Sequence, residues 1–153
     1  MYQIFLSHSA SDADWVLWLA DEIRKIEIFP YVFEQDPQPG RYLSEKVQEA
    51  ITASDSVVVF LTWNSHLAPY VQQEIGFAEG LKKLIIPLVQ PGLDQRMFAM
   101  LQGREYIPFD FTNPSMAVET LLNYLHDLRT QAESRAALFG FSALLLLALS
   151  SKR

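Results

Sequence analysis

Short apolar segments alternate with amphipathic stretches along most of the chain. Segments of about six residues that are rich in β-branched and aromatic side chains predict buried strands. The strands predicted in this way are Tyr2–Ser7, Pro30–Glu34, Ser56–Leu61, Leu84–Val89 and Glu105–Phe109. The third, SVVVFL, has no polar alternation, which is typical of a central strand that is covered on both faces. Pro87 in the fourth segment indicates an irregular strand or one near the edge of a sheet.

Helices are predicted between these strands, because apolar residues there recur at every third or fourth position. The predicted helices are Ala13–Lys25, a helix that begins near Leu43, one that begins at Pro69, a short one over Leu93–Leu101, and Ser115–Thr130. Alternating strands and helices with short, right-handed connections form a parallel sheet. We therefore predict an α/β protein with a flavodoxin-like, doubly wound sheet of five strands in the order 2-1-3-4-5 and helices on both faces.

Residues 133–153 depart from this alternation, and we interpret residues 1–132 as the domain and the rest as an apolar tail. Within the tail, Ala136–Leu149 reads AALFGFSALLLLAL, in which Ser142 is the single polar residue. As a helix this stretch is about 21 Å long, whereas the bilayer core is about 30 Å thick. A membrane anchor is our first expectation, with a self-association helix or a helix docked on the domain as alternatives. Because no export signal precedes the first strand, we expect the domain to lie in the cytoplasm.

Composition narrows the classes of function. The net charge is −6 and no basic block precedes the last residues, which argues against a nucleic-acid partner. The chain has no cysteine, so a disulfide framework and a thiolate nucleophile are both excluded. His8, His66 and His126 are scattered, and their spacing predicts no metal site.

One stretch combines a strand end with a helix that carries a carboxylate. The strand Ser56–Leu61 runs into the polar turn Thr62–Ala68, and Pro69 then suits the first turn of a helix. On that helix Tyr70 and Glu74 are four residues apart and share a face. Ligands of open α/β sheets bind at the carboxyl ends of strands, so Glu74 is a candidate site residue. A lone glutamate on a helix is nevertheless more often a solvated surface residue.

Three segments, in this order, resemble those of the TIR (Toll/interleukin-1 receptor) domain, and most closely its bacterial and enzymatic members. IFLSHSASD contains the end of the first strand, VFEQDPQPGRYL runs from the end of the second strand through the loop that follows it, and YVQQEI lies on the helix after the third strand. The resemblance covers about residues 2–130. It implies that Glu74 is the catalytic glutamate of an enzyme that cleaves NAD and that Tyr70 is the aromatic residue before it.

The chain also departs from the family pattern. The Phe-Trp pair of the third box of animal receptors is absent, and the last strand reads YIPFDF. Ser9 and Ala10 stand where some NAD-cleaving members have basic residues. By motif position Arg41 is then the nearest candidate for contacting the phosphates.

The implied chemistry needs few residues. Cleavage between nicotinamide and ribose passes through an oxocarbenium-like centre, as in glycoside hydrolysis. Nicotinamide leaves NAD as a neutral ring, so no acid is needed, and one carboxylate can stabilise the positive charge that develops. NAD is thus the substrate, and we expect no cofactor.

Other residues near the predicted strand ends are candidates for substrate binding. Phe33, Trp63 and Tyr70 could stack on a ring of NAD, although packing in the core or a loop explains them equally well. Ser7 and His8 end the first strand and could touch the ligand, with a capping or core role as the alternative for Ser7. For Asp36 we favour hydrogen bonding within its own loop.

Two functions remain open from the sequence. The first is an NAD+ glycohydrolase or cyclase that releases nicotinamide and either ADP-ribose or a cyclic isomer acting as a signal. The second is a non-catalytic adaptor that recruits other TIR domains through the loop Gln35–Tyr42. Resemblance to bacterial TIR proteins implies anti-phage signalling, self-association through TIR surfaces and a downstream effector protein.

Overall fold

The strands in the described part of the protein form one parallel sheet of five. The computed structural model describes residues 1–65, 68–94 and 101–151. The strands are β1 (Gln3–Ser7), β2 (Phe29–Tyr31), β3 (Ser56–Leu61), β4 (Leu84–Val89) and β5 (Ile107–Pro108). Their order is β2-β1-β3-β4-β5 and every neighbouring pair is parallel. The predicted fold class and strand order are confirmed.

The ends of the sheet differ from the sequence prediction. The predicted second strand, Pro30–Glu34, is wrong in its second half, because β2 ends at Tyr31 and residues Phe33–Gln35 form a single 3-10 turn. That turn brings the side chains of Phe33 and Glu34 into contact with His8. The last strand is also shorter than predicted: Glu105–Phe109 contains only the two-residue strand β5, although the Phe109 amide still donates to the Val89 carbonyl at 2.8 Å.

Pro87 lies in an inner strand without disrupting it. β4 pairs with β3 along its whole length and with β5 only at Leu88 and Val89. Along a strand, the backbone groups of alternate residues point to the same neighbour. The Val89 carbonyl bonds to the segment of β5, so the nitrogen of Pro87 also points to that side. Its missing N–H therefore costs no hydrogen bond to β3.

Helices cover both faces of the sheet. They are α1 (Ala13–Arg24), α2 (Leu43–Ala53), α3 (Pro69–Gly80) and α4 (Ser115–Ser150). Apolar residues of α1 and α4 form one core cluster with the sheet, and those of α2 and α3 form a second cluster on the opposite face. The short helix predicted over Leu93–Leu101 falls mainly on residues 95–100, which lie outside the described part of the chain.

α4 is a single helix of 36 residues that contains both the predicted Ser115–Thr130 helix and the apolar tail. Ala132 is the last of its residues to pack against the core, and residues 133–151 are exposed. Among the described residues, α4 is the one helix long and apolar enough to cross a membrane by length and composition.

Candidate active site

Glu74 is a buried carboxylic acid at the carboxyl edge of the sheet. It lies on α3 beside Val71 and Ile75, whose apolar side chains are fully buried and draw this side of the helix onto the sheet. Only 8% of Glu74 is exposed. The hydroxyl of Ser7, at the end of β1, donates a hydrogen bond to Glu74 Oε2. Two separate elements thus meet at this carboxyl group.

The protonation of Glu74 is set by opposing effects. Burial raises its pKa, the hydrogen bond from Ser7 and the positive charge of His8 lower it, and the nearby charge of Glu34 raises it. The net result is a pKa of about 7. Burial dominates because removing a carboxylate from water disfavours its charged form. Both the acid and the carboxylate are therefore accessible near neutral pH.

His8 is a buried residue beside this carboxyl group, and an acceptor lies at each of its two ring nitrogens. Its Nδ1 is 2.8 Å from the Leu6 carbonyl oxygen, and its Nε2 is 2.8 Å from Glu34 Oε1. A carbonyl and a carboxylate only accept, so these two contacts favour the protonated ring, in which both nitrogens donate. Burial lowers the pKa of His8, but the hydrogen bond and charge of Glu34, helped by Leu6 and Glu74, outweigh it and raise the pKa overall.

Phe33 and Lys46 connect this centre to the loop after β2. The rings of His8 and Phe33 stack with their centroids 5.4 Å apart and their planes 20° apart. The ammonium group of Lys46 lies 6.0 Å from the centroid of the Phe33 ring. It also donates to the backbone carbonyl of Phe33 at 3.0 Å and to that of Asp36. Lys46 is a buried residue of α2, so these bonds hold the loop against this helix.

A cavity of about 330 Å³ opens between α2 and α3 at this edge of the sheet. Its polar end is formed by His8, Ser9 and Glu74, and Tyr70, which is 63% exposed, lies at its rim. The remaining lining is mainly apolar and comes from the following residues: Ala10, Phe33, Leu43, Ser44, Val47, Gln48, Ile51, Ala68, Gln73 and Phe77. An apolar cavity with few polar groups at one end is typical of a small-molecule site.

Five of the eight residues predicted from sequence come together at this cavity. Four of them line it and the fifth, Ser7, bonds to Glu74; the four are His8, Phe33, Tyr70 and Glu74. The other three, Asp36, Arg41 and Trp63, are not among the described residues that line it.

These three residues have other contacts. Asp36 accepts hydrogen bonds from the Tyr31 hydroxyl at 2.8 Å and from Gln38 at 2.7 Å, within and beside its own loop. Arg41 makes a two-point contact with Glu49, at 2.7 and 3.1 Å, so its guanidinium faces α2 rather than the cavity. Half of Trp63 is exposed, in the turn after β3.

Asp12 joins the turns that follow β1 and β3. Its buried carboxylate accepts hydrogen bonds from Ser9 at 2.8 Å, Thr62 at 2.7 Å and Asn64 at 3.0 Å. The Ser65 hydroxyl donates to the Phe60 carbonyl at 2.6 Å and so closes the turn after β3. Buried polar groups that are fully satisfied in this way rigidify a structure, and here they hold the strand ends beside the cavity.

Sequence reasoning missed Glu34 and Lys46. Glu34 is the last residue of the predicted second strand, and the turn that brings it to His8 has no clear sequence signal. Lys46 stands next to Val47 on the buried side of α2, although its charge predicts an exposed position. Long basic side chains can bury their aliphatic part in this way. No group of three or more side chains able to hold a metal ion occurs among the described residues.

The order of strands defines a doubly wound α/β protein, and the cavity beside Glu74 lies at the carboxyl ends of the strands, where ligands of that class usually bind. Residues 4–122 match a family model described as the TIR domain. The chain belongs to the TIR-domain family.

Solved structures agree with this assignment. The TIR domain of the Toll-related receptor TRR-2 from Hydra magnipapillata has 21% identity and a TM-score of 0.69, over 84% of this chain and 99% of that one. The TIR domains of the activated Roq1 resistosome have 14% identity and a TM-score of 0.67, over 82% and 99%. The CMP N-glycosidase BcmB of Clostridium botulinum has 18% identity and a TM-score of 0.56, over 78% and 97%. No curated protein matches the chain in sequence.

Proposed function

We propose that this TIR domain cleaves NAD+ between nicotinamide and ribose, with Glu74 as the catalytic residue. The observation that carries the proposal is the buried Glu74 carboxyl group at the end of an apolar cavity, held by the Ser7 hydroxyl. A carboxylate in such a dry, fixed position stabilises positive charge far better than one in water. The ribose becomes an oxocarbenium-like centre as nicotinamide leaves, and that centre is the charge to be stabilised.

The state of Glu74 suits a cationic substrate. With a pKa of about 7, the free enzyme holds a mixture of acid and carboxylate at neutral pH. The nicotinamide ring of NAD+ carries a positive charge, and an opposite charge close to a carboxyl group lowers its pKa. Binding of NAD+ would therefore convert Glu74 to the carboxylate that the reaction requires.

The size of the cavity favours one end of the dinucleotide. At about 330 Å³ it lies at the small end of ligand sites, which span about 300–1,000 Å³. We infer that the nicotinamide and its ribose enter, with Phe33 and Tyr70 beside them, and that the phosphates and adenosine extend past the rim. Arg41 is held by Glu49, so it would have to exchange that partner to reach a phosphate.

The similar structures give coarse support. One of them is a CMP N-glycosidase, which shows that this fold can carry the cleavage of an N-glycosidic bond. Another is the TIR part of an activated resistosome that recognises a pathogen effector. The second structure supports immune signalling and self-association of TIR surfaces. We further propose that the signalling is directed against phage and that a downstream effector responds to the product.

The test is to incubate the purified protein with NAD+ and to measure nicotinamide release and the mass of the other product. A mass equal to ADP-ribose indicates hydrolysis, and a mass lower by one water indicates cyclisation. Glu74→Gln should lose activity by a factor of about 10²–10³, the usual cost of one electrostatic stabiliser. Glu119→Gln, an exposed carboxylate on α4, is the matched control.

A non-catalytic adaptor is the second candidate, and one observation favours it. Pro39, Gly40 and Arg41 are exposed at the tip of the loop Gln35–Tyr42, where another TIR domain could bind. If wild type releases no nicotinamide, the adaptor function replaces the enzyme. If Glu74→Gln releases nicotinamide as fast as wild type, the protein cleaves NAD+ but Glu74 is not its catalytic residue.

We also propose that residues 133–151 of α4 anchor the domain to a membrane, with the domain on the cytoplasmic side. Large apolar side chains of this segment are between 54 and 76% exposed. Such a surface is far larger than soluble monomers leave in water. Flotation of the full-length protein with phosphatidylcholine vesicles tests this anchoring.

A further inference from the structure

The tail leaves the domain on the side opposite the cavity. α4 begins at Ser115, just after β5, and therefore at the carboxyl edge of the sheet where Glu74 lies. It then crosses the sheet, and Arg129 donates to the Ile26 carbonyl at 2.6 Å. Ile26 precedes β2, so Arg129 marks the amino edge of the sheet. The helix continues beyond this edge, away from the cavity.

The amino edge itself exposes apolar side chains. The strand register aligns Gln3 with Phe29, and Ser56 with Leu84, so these strands begin side by side. Phe29 is 44% exposed and Leu84 is 39% exposed, and Leu81, in the turn before β4, is 41% exposed. A single exposed apolar residue is ordinary. Here three of them lie on the one edge from which an apolar helix emerges.

The tail is apolar on every side, and the hydroxyls of its serines from Ser142 onward donate hydrogen bonds to carbonyls of the same helix. A helix that pairs with a second copy shows an apolar stripe and an opposite polar face, but residues 136–149 show no such division. The Ser142 hydroxyl donates to the Leu138 carbonyl at 3.0 Å, and the Ser150 hydroxyl donates to the Leu147 carbonyl at 2.9 Å. Internal satisfaction of polar groups is what a lipid environment demands, and so a bilayer is the occupant that fits.

Distances along α4 place the edge close to such a bilayer. At about 1.5 Å per residue, the helix rises about 10 Å from Arg129 to Ala136. The polar layer on each side of the hydrocarbon core is about 5–8 Å thick. A helix standing along the membrane normal would thus bring Leu81 and Leu84 to the headgroups. From Arg129 back to Ser115 the helix rises about 21 Å, which sets the cavity well away from the lipid.

We propose that the amino edge of the sheet is a bilayer-facing surface that holds the cavity open toward the cytoplasm, a proposal that rests on the tail anchoring proposed above. Exposed charges on this edge are mixed, with Lys25 and Lys82 beside Glu27 and Asp55. The contact is therefore apolar in origin, and it requires no anionic lipid.

Because the chain has no cysteine, single labelling sites can be introduced into the full-length protein. Three exposed positions report on three levels: Phe139→Cys in the tail, Leu84→Cys at the amino edge and Asn113→Cys at the carboxyl edge. Each carries an environment-sensitive fluorophore, and the vesicles are phosphatidylcholine with a nitroxide on some of the headgroups. We expect a blue shift of the label at 139, strong quenching at 84 and no quenching at 113.

The outcomes separate this inference from the anchoring itself. If the label at 139 enters the bilayer while those at 84 and 113 are quenched equally, or neither is quenched, the tail is an anchor but the amino edge does not face the membrane. If the label at 139 remains in water, the anchoring fails and the inference fails with it. A blue shift at 139 that needs only protein concentration, without vesicles, identifies a second copy as the occupant and also overturns the proposal. A requirement for phosphatidylglycerol would contradict the apolar origin of the contact.

Discussion

The hydroxyl of Ser7 donates a hydrogen bond to Glu74 Oε2, and so links the end of β1 to the middle of α3. This bond favours the ionised carboxyl group, whereas burial favours the neutral one. The two effects together bring the pKa of Glu74 into the neutral range. The protonation of the proposed catalytic group therefore depends on a neighbour that is distant in sequence.

Replacing Ser7 should shift the pH dependence of NAD+ cleavage. Ser7→Ala removes a hydrogen bond that lowers the pKa of Glu74, so that pKa rises and a higher pH is needed to form the carboxylate. We expect the rising limb of kcat/KM for nicotinamide release to move toward alkaline pH. Ser44→Ala, a serine of the cavity wall on α2, is the control and should leave the profile in place. An unshifted profile in Ser7→Ala would remove Ser7 from this role.

Glu74 should destabilise the fold as the pH rises. Its pKa of about 7 in the folded protein exceeds its ordinary value of 4.5, so the unfolded chain loses this proton first. The contribution of Glu74 to stability is then fully present below pH 4.5 and is lost as the pH rises through about 7. Relative to wild type, Glu74→Gln should gain about 3 kcal/mol in unfolding free energy between these limits, at 1.36 kcal/mol per pKa unit.

Urea unfolding of both proteins at several pH values measures this difference. A constant offset between Glu74→Gln and wild type would mean that burial does not raise the pKa of Glu74. The offset itself includes the altered bond to Ser7, so its dependence on pH, rather than its size at one pH, is the informative quantity.

The central strands could be predicted from sequence because burial on both faces leaves an unbroken apolar run. Ser56–Leu61 and Leu84–Val89 are found with the bounds that the pattern gives. At the sheet margin the same rule fails. Val32 and Phe33 are apolar and extend the apparent second strand, yet Val32 is buried beyond the end of β2 and Phe33 turns toward His8.

The site shows a similar division. Helical spacing and a family motif predict that Glu74 and Tyr70 lie together, and both do line the cavity, because these signals depend only on residues that are close in sequence. Arg41 faces Glu49 on α2 rather than the cavity, a contact that only the folded loop creates and that the sequence does not indicate. Likewise, no pattern in the sequence joins Glu34 to His8 or Lys46 to the carbonyls of another element. Contacts of this kind depend on the path of the loop after β2.

Removing the ammonium group of Lys46 should loosen this loop. Lys46→Met keeps an apolar stem but removes the ammonium donor from the carbonyls of Phe33 and Asp36, and the Phe33 carbonyl keeps its bond from the Asp36 amide at 3.2 Å. Loss of a buried hydrogen-bond partner costs about 1–3 kcal/mol. We expect faster proteolysis within Gln35–Tyr42 and a higher KM for NAD+, since Phe33 is no longer held in the cavity wall.

Lys25→Met is the matched control, because Lys25 makes an exposed ion pair with Glu22, and such pairs contribute little. Equal proteolysis and KM in the two variants would show that Lys46 does not hold the loop.

Self-association should raise the activity if the exposed loop contributes to assembly. Gly40 has φ of +87°, which proline cannot adopt because its ring holds φ near −65°. We expect the specific activity of wild type to increase with protein concentration and Gly40→Pro to weaken that increase. Gly103→Pro is the control. It introduces the same conflict at a φ of +83°, in the turn before β5, which is the outermost strand on the side of the sheet opposite β2. Specific activity that stays constant over a wide dilution series would exclude assembly as a requirement.

The apolar part of α4 should decide where the protein is found in the cell. Core packing ends at Ala132, so a chain of residues 1–134 keeps every contact of the domain and loses only the exposed helix. Each large apolar side chain removed from water contributes about 1.5–3 kcal/mol, and five leucines lie between positions 144 and 149. We expect the full-length protein in the membrane fraction and residues 1–134 in the soluble fraction, with equal thermal stability of the domain.

Leu145→Arg in the full-length protein is the matched control for helix length, because a charge at the centre of a spanning helix costs about 2.5–3.5 kcal/mol. It should move part of the protein to the soluble fraction. A full-length protein as soluble and as monomeric as residues 1–134 would contradict both membrane anchoring and clustering through the tail.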